Sequence, residues 1–289
     1  MPLKLEELIS EVNNSNFASI RGIITGIFDI INNSRSSVND LEAIIKLDPP
    51  LAAKVLKVAN SAFYASRVEF KDLKEAVLWI GFDEIRNIAV TQQLYKVYMR
   101  GNYNSFSRKD LWKNSIATAL LAKMIFRREF GEKGENLYTA GLIHNIGIII
   151  IDQFMNDEFH DILQYSDDNN ADHIESETKF LGYDHTSVAY ELGKTWNFPE
   201  ELNETVKYHH NPDEATEKYQ KTAGTIFIAD YYCKKWGLGY CDINNLNEDK
   251  VTELLNSYDI EPESLALMHS DLIEQIVHFE NIGLLSNGQ

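Results

Sequence analysis

The chain has 289 residues, of which 44% are hydrophobic and 25% are charged, and this composition is typical of a soluble globular protein. A chain of this length buries enough surface to fold without disulfide bonds or a structural metal. Its 44 acidic residues outnumber its 27 lysines and arginines, and the net charge is −17. Because nucleic acids and anionic membranes are bound through lysine and arginine, we expect neither as a partner.

The sequence contains no predicted membrane span or signal peptide. No window approaches the roughly 18 consecutive apolar residues that a membrane span needs. The N-terminus, MPLKLEELIS, lacks the basic and then apolar pattern of a signal peptide. Cys233 and Cys241 are the two cysteines, and their spacing matches no zinc motif. We therefore expect a cytoplasmic protein with two unpaired thiols.

Helical periodicity dominates the first half of the chain. Isoleucines recur at steps of three and four over residues 20–31, as on one face of an amphipathic helix. Asp48, followed by two prolines, predicts the start of a helix that ends near residue 60. Asp72 is the predicted cap of a further helix, which Gly81 stops.

The second half of the chain also predicts helices only. We find no segment with the alternating pattern of a strand and no internal repeat, so the predicted fold class is all-α. One of the helices is expected to contain His144. The others are predicted at residues 109–130, 172–181, 185–195, 200–210, 220–236 and 264–279.

A polar segment divides the predicted helices into two lobes. Residues 99–107, MRGNYNSFS, are rich in Gly, Asn and Ser, and this composition predicts a linker. The sequence therefore predicts an N-terminal helical lobe over residues 1–104 and a second helical lobe over residues 105–236. Residues 237–289 are expected to form a C-terminal helical appendage.

Histidines and one acid in apolar surroundings are the candidate functional residues. His144 lies in the apolar run 140–150, where a polar imidazole needs a partner. Its neighbour Asn145 is a neutral amide where a metal hydrolase would have a carboxylate. Metal hydrolases gather His, Asp and Glu because imidazole and carboxylate together hold a dication and acidify its bound water. The further candidates are His185, His209, His210 and Asp230.

Each candidate also has a purely structural interpretation. His144 could be a core histidine with a satisfied hydrogen bond, and His185 could simply begin a helix. His209 and His210 precede Asn-Pro and could end a helix, where the helix dipole favours imidazolium. Asp230 could be a structural hydrogen-bond acceptor. The remaining histidines lie in polar surroundings and are expected to be solvated: His160, His173, His269 and His278.

Blocks of sequence in both lobes follow one known order. Residues 47–64 read LDPPLAAKVLKVANSAFY, and residues 75–90 read EAVLWIGFDEIRNIAV. The second lobe contains LWKNSIATALLAKMI, HNIG, ETKFLGYDHTSVAYELGKTWNFPEEL, YHHNP and IFIADYY, in that order. These blocks resemble those of the HDOD proteins, or HD-related output domains, of bacterial signalling. The resemblance covers about residues 15–236 and implies a two-lobed helical fold related to HD-domain phosphohydrolases.

The resemblance also implies a degenerate metal site. It places the first HD-type histidine at Asn114 and the His-Asp pair at His144 and Asn145, so two ligands are replaced by amides. The residues that match the remaining ligands are His185, His209, His210 and Asp230. The sequence after His210, NPDEATEKYQ, lacks the GYP signature of the related cyclic-di-GMP phosphodiesterases. A single carboxylate is a poor scaffold for two dications, so we expect no cofactor or, at most, a single divalent metal.

These observations lead to three functional hypotheses. The first is a non-catalytic regulatory module, without catalytic residues, that acts through protein–protein contacts. Because the chain carries no recognisable receiver, kinase or cyclase domain, it would act on signalling proteins in trans. The second is a residual metal-dependent phosphohydrolase that uses the remaining histidine cluster. The third is a sensor that binds a metal or a nucleotide in the same pocket without turnover. The oligomeric state is left open.

Overall fold

The computed structural model describes residues 2–15, 17–33, 35–64, 69–100, 107–240 and 246–285. The protein is 78% helical, and the described residues contain no strand, which confirms the predicted all-α class. Single 3₁₀ turns lie at Ala62–Tyr64 and Pro212–Glu214. The helices are α1 (Leu5–Asn14), α2 (Ala18–Asn32), α3 (Val38–Lys46), α4 (Pro49–Ala59), α5 (Leu73–Ile80), α6 (Phe82–Tyr98), α7 (Arg108–Glu129), α8 (Glu135–Ile143), α9 (Ile146–Phe154), α10 (Asn156–Asn169), α11 (His173–Leu181), α12 (His185–Thr195), α13 (Glu200–Lys207), α14 (Glu217–Lys235), α15 (Glu248–Tyr258) and α16 (Pro262–Asn281).

Helix α6 is the centre of the first half of the chain, and α2, α3, α4 and α5 pack against it. The predicted helix ends in this region are confirmed. The carboxylate of Asp48 accepts a hydrogen bond from the backbone N–H of Leu51 at 3.1 Å, and this bond caps α4. Asp72 caps α5 in the same way through Glu75 at 3.0 Å. Gly81 ends α5 with a φ of +105°, a backbone conformation that favours glycine.

Helix α7 has the same central position in the second half of the chain. Its 22 residues span about 33 Å, and it packs against α8, α14 and α16. Helix α8 also contacts α6, so the buried apolar residues of both halves form one continuous core. The lobe boundaries at residues 104 and 236 stay a prediction. Most of the predicted linker, residues 101–106, and the thiol of Cys241 lie outside the described residues.

The prediction that His144 lies within a helix is wrong, because the helix is interrupted at this residue. Helix α8 ends at Ile143 and α9 begins at Ile146, so His144 and Asn145 lie between two helices. The ring Nδ1 of His144 is 2.8 Å from the carbonyl oxygen of Gly141. In a continuous helix that carbonyl would accept from the backbone N–H of residue 145. The imidazole therefore occupies the carbonyl oxygen that would continue the helix, and this hydrogen bond holds the ring where the helix is interrupted.

The most apolar part of the chain belongs to the core of the fold. Among the described residues, one stretch, Glu135–Phe154, is long and apolar enough by composition to cross a membrane. In its most apolar window 89% of the residues are buried inside the protein. An ion pair that the sequence did not indicate lies at its end, where the buried Asp152 accepts from Nε of the buried Arg108 at 2.5 Å. This pair ties the first turn of α7 to α9.

Candidate metal site

A close approach of α9 to α12 brings the candidate histidines together. A Cβ atom added to Gly147 would lie 2.0 Å from the carbonyl oxygen of His185, so only glycine fits at this point. Asp184 caps α12 by accepting a hydrogen bond from the backbone N–H of Ser187 at 2.8 Å. His185, the first residue of α12, therefore lies beside the break that holds His144.

Two of the buried imidazoles have a fixed tautomer. Nδ1 of His144 is 2.8 Å from the carbonyl oxygen of Gly141, and Nδ1 of His209 is 2.8 Å from that of Val206. Because a carbonyl oxygen only accepts, each Nδ1 must carry the proton and donate it. Both Nε2 atoms point away from these carbonyl groups, and both are buried without a hydrogen-bond partner among the described residues.

Glu177 fixes a third imidazole in the same manner. Its Oε2 atom accepts from both Nδ1 and the backbone N–H of His185, each at 2.8 Å. Its Oε1 atom lies 3.2 Å from Nε2 of His173. Burial acts to raise the pKa of Glu177, but His185 and His173 hold that pKa well below its usual value of 4.5. The ionised carboxylate therefore orients His185 through Nδ1, an arrangement common behind metal-bound histidines.

The predicted ligands are all brought to one place. Nε2 of His185 and Nε2 of His210 are 3.2 Å apart, and the ligand atoms of His185, His209 and His210 lie within 4.8 Å of one another. The ring of His144 is 5.0 Å from that of His209, centroid to centroid. Two nitrogens bound to a tetrahedral zinc at 2.0–2.1 Å are about 3.3 Å apart. The spacing of His185 and His210 therefore fits two ligands of one metal ion.

Neither His209 nor His210 is an imidazolium at neutral pH. Burial lowers the pKa of His209 well below its usual value, and the neighbouring His144 and His185 lower it further. Burial, His209 and His185 lower the pKa of His210 in the same way. Helix α13 ends at Lys207, and Nδ1 of His209 donates to the carbonyl oxygen of Val206 in its last turn, so the pair does end a helix. Burial nevertheless disfavours the imidazolium form that the helix dipole would favour.

The single acid of the cluster is paired with a lysine. Asp230 and Lys234 lie one turn apart on α14, both are buried, and Oδ2 is 2.7 Å from Nζ. The other oxygen, Oδ1, is 3.6 Å from Nε2 of His144. Burial acts to raise the pKa of Asp230, but Lys234 and His144 hold that pKa well below its usual value. The carboxylate is thus ionised, and its charge is balanced by an ammonium group of the same helix.

The two amides that the resemblance places at ligand positions are buried as well. Asn114 on α7 is fully buried, and neither atom of its amide has a hydrogen-bond partner within the described part of the chain. Asn145 is 3% exposed. Both side chains are neutral, so they add no negative charge to the site.

An acidic cavity leads to the cluster from solvent. Its volume is about 360 Å³, and His210 lines it together with Asp172, Glu175 and Asn211. His210 is the partly exposed member of the group of three, whereas His185 and His209 are buried. Because acids favour cations, this cavity would attract a metal ion to the side of the cluster where His210 lies.

Sequence reasoning missed three residues of the site. His173, expected to be solvated, is 4% exposed and packs edge-on against Phe159, and this prediction was wrong. The other two missed residues are Glu177 and Lys234. Glu177 follows His173 by four residues, and Lys234 follows Asp230 by four, so each pair lies on one face of a helix. This i,i+4 spacing is the sequence signal that could have indicated both pairs. His160 is exposed. His269 and His278 are partly buried and stack on Trp236 and Phe63, respectively, so their predicted solvation was only partly right.

Comparison with known proteins identifies relatives of this fold. The family model for the HDOD domain matches residues 17–212. An HDOD domain protein of unknown function from Geobacter sulfurreducens is 23% identical, with a TM-score of 0.75 and 91% of each chain covered. A "putative phosphohydrolase" from Shewanella amazonensis SB2B is 22% identical, with a TM-score of 0.66 and the same coverage. At this identity the two structures show the fold alone.

A relative in Treponema pallidum (strain Nichols), an uncharacterized protein, is 24% identical over 202 residues. The match covers 69% of this chain and 39% of the relative. The chain therefore spans about two fifths of that protein's length.

We predict that Glu177→Gln lowers the free energy of unfolding by about 3 kcal/mol, because His185 loses its charged acceptor. Glu175→Gln, at an exposed position of the same helix, should change it by less than about 0.5 kcal/mol. Urea denaturation measures both values.

The stabilising effect of Glu177 should depend on pH. Since the folded-state pKa of Glu177 lies below its unfolded value, its contribution to the free energy of unfolding is complete above pH 4.5 and is lost as the pH falls toward the depressed pKa. The difference in free energy of unfolding between wild type and Glu177→Gln should therefore narrow below pH 4.5. An equal loss of free energy of unfolding in Glu177→Gln and Glu175→Gln would contradict the role given to Glu177.

Proposed function

Because the chain belongs to the HDOD family, we propose that it is a non-catalytic regulatory module that acts by contacting other signalling proteins. The observation that carries the proposal is the buried ion pair of Asp230 and Lys234. Hydrolysis by a dinuclear site needs anionic ligands that hold two dications close together. Here the one carboxylate of the cluster is already neutralised by the chain's own ammonium group.

The charge balance argues strongly against two metal ions. Two dications about 4 Å apart repel each other by roughly 16 kcal/mol at an effective dielectric constant of about 20, four times the value for unit charges. The Asp230–Lys234 pair has no net charge, so the negative charge behind the imidazoles is that of Glu177 alone, which is too little to offset this repulsion. Asn114 and Asn145 add no negative charge. The residues present therefore do not fit a dinuclear centre.

An exposed apolar surface on the first lobe supports the protein-binding part of the proposal. Leu78 and Trp79, at the end of α5, are 72% and 60% exposed. Nε1 of Trp79 donates to the backbone oxygen of Tyr64 at 3.2 Å, next to Phe63, which is 57% exposed. Clustered exposed apolar side chains mark interaction sites, and tryptophan is among the residues that contribute most to such interfaces.

We predict that the protein hydrolyses phosphodiesters and nucleotides no faster than a variant with a broken cluster. Purified wild type and His209→Ala should release phosphate or nucleotide at the same background rate in Mn²⁺, Fe²⁺ or Zn²⁺. His160→Ala, at an exposed position away from the cluster, is the matched control. Turnover that disappears in His209→Ala and persists in His160→Ala would contradict the proposal.

We further predict that Leu78→Asp abolishes the capture of partner proteins from an extract of the source cells. A charge in the centre of an apolar interface is left without solvent or partner, which costs several kcal/mol of binding. Leu267→Asp is the matched control, because Leu267 is 74% exposed on α16. Quantitative mass spectrometry compares the proteins retained by each variant. Retention of the same proteins by Leu78→Asp and wild type would show that this surface is not the binding surface.

A single-metal sensor is the second candidate, and the three convergent imidazoles favour it. His185, His209 and His210 would hold the ion through Nε2, with Nδ1 of His185 and His209 already bonded to Glu177 and a carbonyl, respectively. Neutral nitrogen ligands suit zinc, cobalt, nickel or iron rather than magnesium or calcium. When bound, such an ion would supply a Lewis-acidic centre, and the rigid imidazoles would fix its position.

A cobalt titration tests this second candidate. We predict saturable visible absorption from one Co²⁺ per chain, which His209→Ala should reduce at least tenfold in affinity. His160→Ala should leave the titration unchanged. Absence of a saturable signal in the wild-type protein would exclude the metal-sensor function and leave the protein-binding proposal intact.

A further inference from the structure

A second cavity lies between the two halves of the chain, apart from the histidine cluster. Its volume of about 300 Å³ is at the lower end of the range for small-molecule sites. Its walls come from the 3₁₀ turn Ala62–Tyr64 and from helices α6, α7, α8 and α16. None of the residues that line it belongs to the histidine cluster.

Aromatic rings form much of the wall, and two of them are held in place by hydrogen bonds. The hydroxyl of Tyr64 donates to Oε1 of Glu84 at 3.0 Å, and the hydroxyl of Tyr138 is 2.8 Å from that of Thr91. Rings with fixed orientations suit a flat aromatic ligand, which gains stacking energy without ordering the wall. The four rings are those of Phe63, Tyr64, Tyr138 and Phe279.

Asn87 gives the cavity a hydrogen-bond acceptor without a partner. This residue is 3% exposed, and its amide nitrogen donates to the carboxylate of Glu135 at 2.6 Å. Because a carboxylate only accepts, the amide atom that faces Glu135 must be the nitrogen. The amide oxygen of Asn87 therefore points away from Glu135. That oxygen is buried and has no hydrogen-bond partner in the described ranges. A buried acceptor of this kind costs about 1–3 kcal/mol, and a ligand N–H group would remove that cost.

Charged groups at the cavity define the rest of the ligand. Glu84 adds a carboxylate acceptor, with Nζ of Lys123 3.6 Å from its Oε2 atom. Arg127 is exposed and forms no ion pair with a carboxylate of the described residues, in contrast to its neighbour Arg128, which pairs with Asp271. An arginine of this kind suits a phosphate group.

We infer that this cavity binds a purine mononucleotide whose base is guanine. Guanine carries two adjacent N–H donors, for which Glu84 and Asn87 are the acceptors on the cavity wall. Its carbonyl oxygen would accept from Lys123, whose Nζ also lies 3.1 Å from Oε1 of Glu135. The phosphate would lie against Arg127. The ligand would contact both halves of the chain and α16 at once, so its binding would stabilise one arrangement of these parts. This inference does not use the histidine cluster, and the cavity shares Phe63 and Tyr64 with the exposed apolar surface of the first lobe.

Isothermal titration of the full chain with guanosine monophosphate (GMP), guanosine and uridine monophosphate (UMP) tests the inference. We expect saturable binding of one GMP per chain, about tenfold weaker binding of guanosine, and no saturable binding of UMP. Arg127→Met should weaken GMP binding about tenfold and leave guanosine binding unchanged. Arg128→Met is the matched control and should leave both unchanged. Glu84→Gln should weaken both GMP and guanosine about tenfold, because both carry the same base.

Three results would overturn the inference. The first is an absence of saturable GMP binding by the wild-type protein at millimolar concentration. The second is equal affinity for GMP and UMP, which would indicate attraction of any phosphate to a surface cation. The third is an equal loss of GMP affinity in Arg127→Met and Arg128→Met. The wild-type comparison of the three ligands needs no variant, so a folding defect in one variant leaves the test decisive.

Discussion

The ion pair between Asp230 and Lys234 is the interaction on which the chemistry of the histidine cluster depends. A buried carboxylate needs a compensating positive charge, and in a metal hydrolase the metal ions supply it. Here an ammonium group one helical turn away supplies it at 2.7 Å. The charge of Asp230 is therefore balanced by the chain alone. The amides of Asn114 and Asn145 are neutral and leave this balance unchanged.

The histidines around that pair are nevertheless arranged for more than packing. His144, His185 and His209 each donate through Nδ1 to a fixed acceptor, so Nε2 is the ring atom that each has left to bind a ligand. Packing alone does not require such nitrogens, and the Nε2 atoms of His144 and His209 are buried without partners among the described residues. Rigid neutral ligands without anionic charge suit one transition-metal ion, and this is why the metal-sensor function is kept as the second candidate.

Local signals in the sequence predicted much of the fold. The caps at Asp48 and Asp72, the stop at Gly81 and the all-α class depend on short-range chemistry, and the structure confirms them. The interruption of the helix at His144 could not be predicted, because it depends on a hydrogen bond from the imidazole to the carbonyl oxygen of Gly141 in the same segment. The burial of His173 was missed for a related reason, since Glu177 and the packing of α10 on α11 are set by tertiary structure. The five candidate residues lie together in the structure, and their role as ligands stays a prediction. The charge of Asp230 is balanced by Lys234, which periodicity alone marks as an ordinary helix residue.

The most direct test of this account is the number of metal ions that the wild-type chain retains. Untagged protein is equilibrated with manganese, iron or zinc and freed of unbound ions, and its metal content is then measured by elemental analysis. The charge balance at Asp230 predicts at most one ion per chain for each metal. Two ions per chain would contradict it, because a cluster whose one carboxylate ligand is already paired with Lys234 would then be holding two dications.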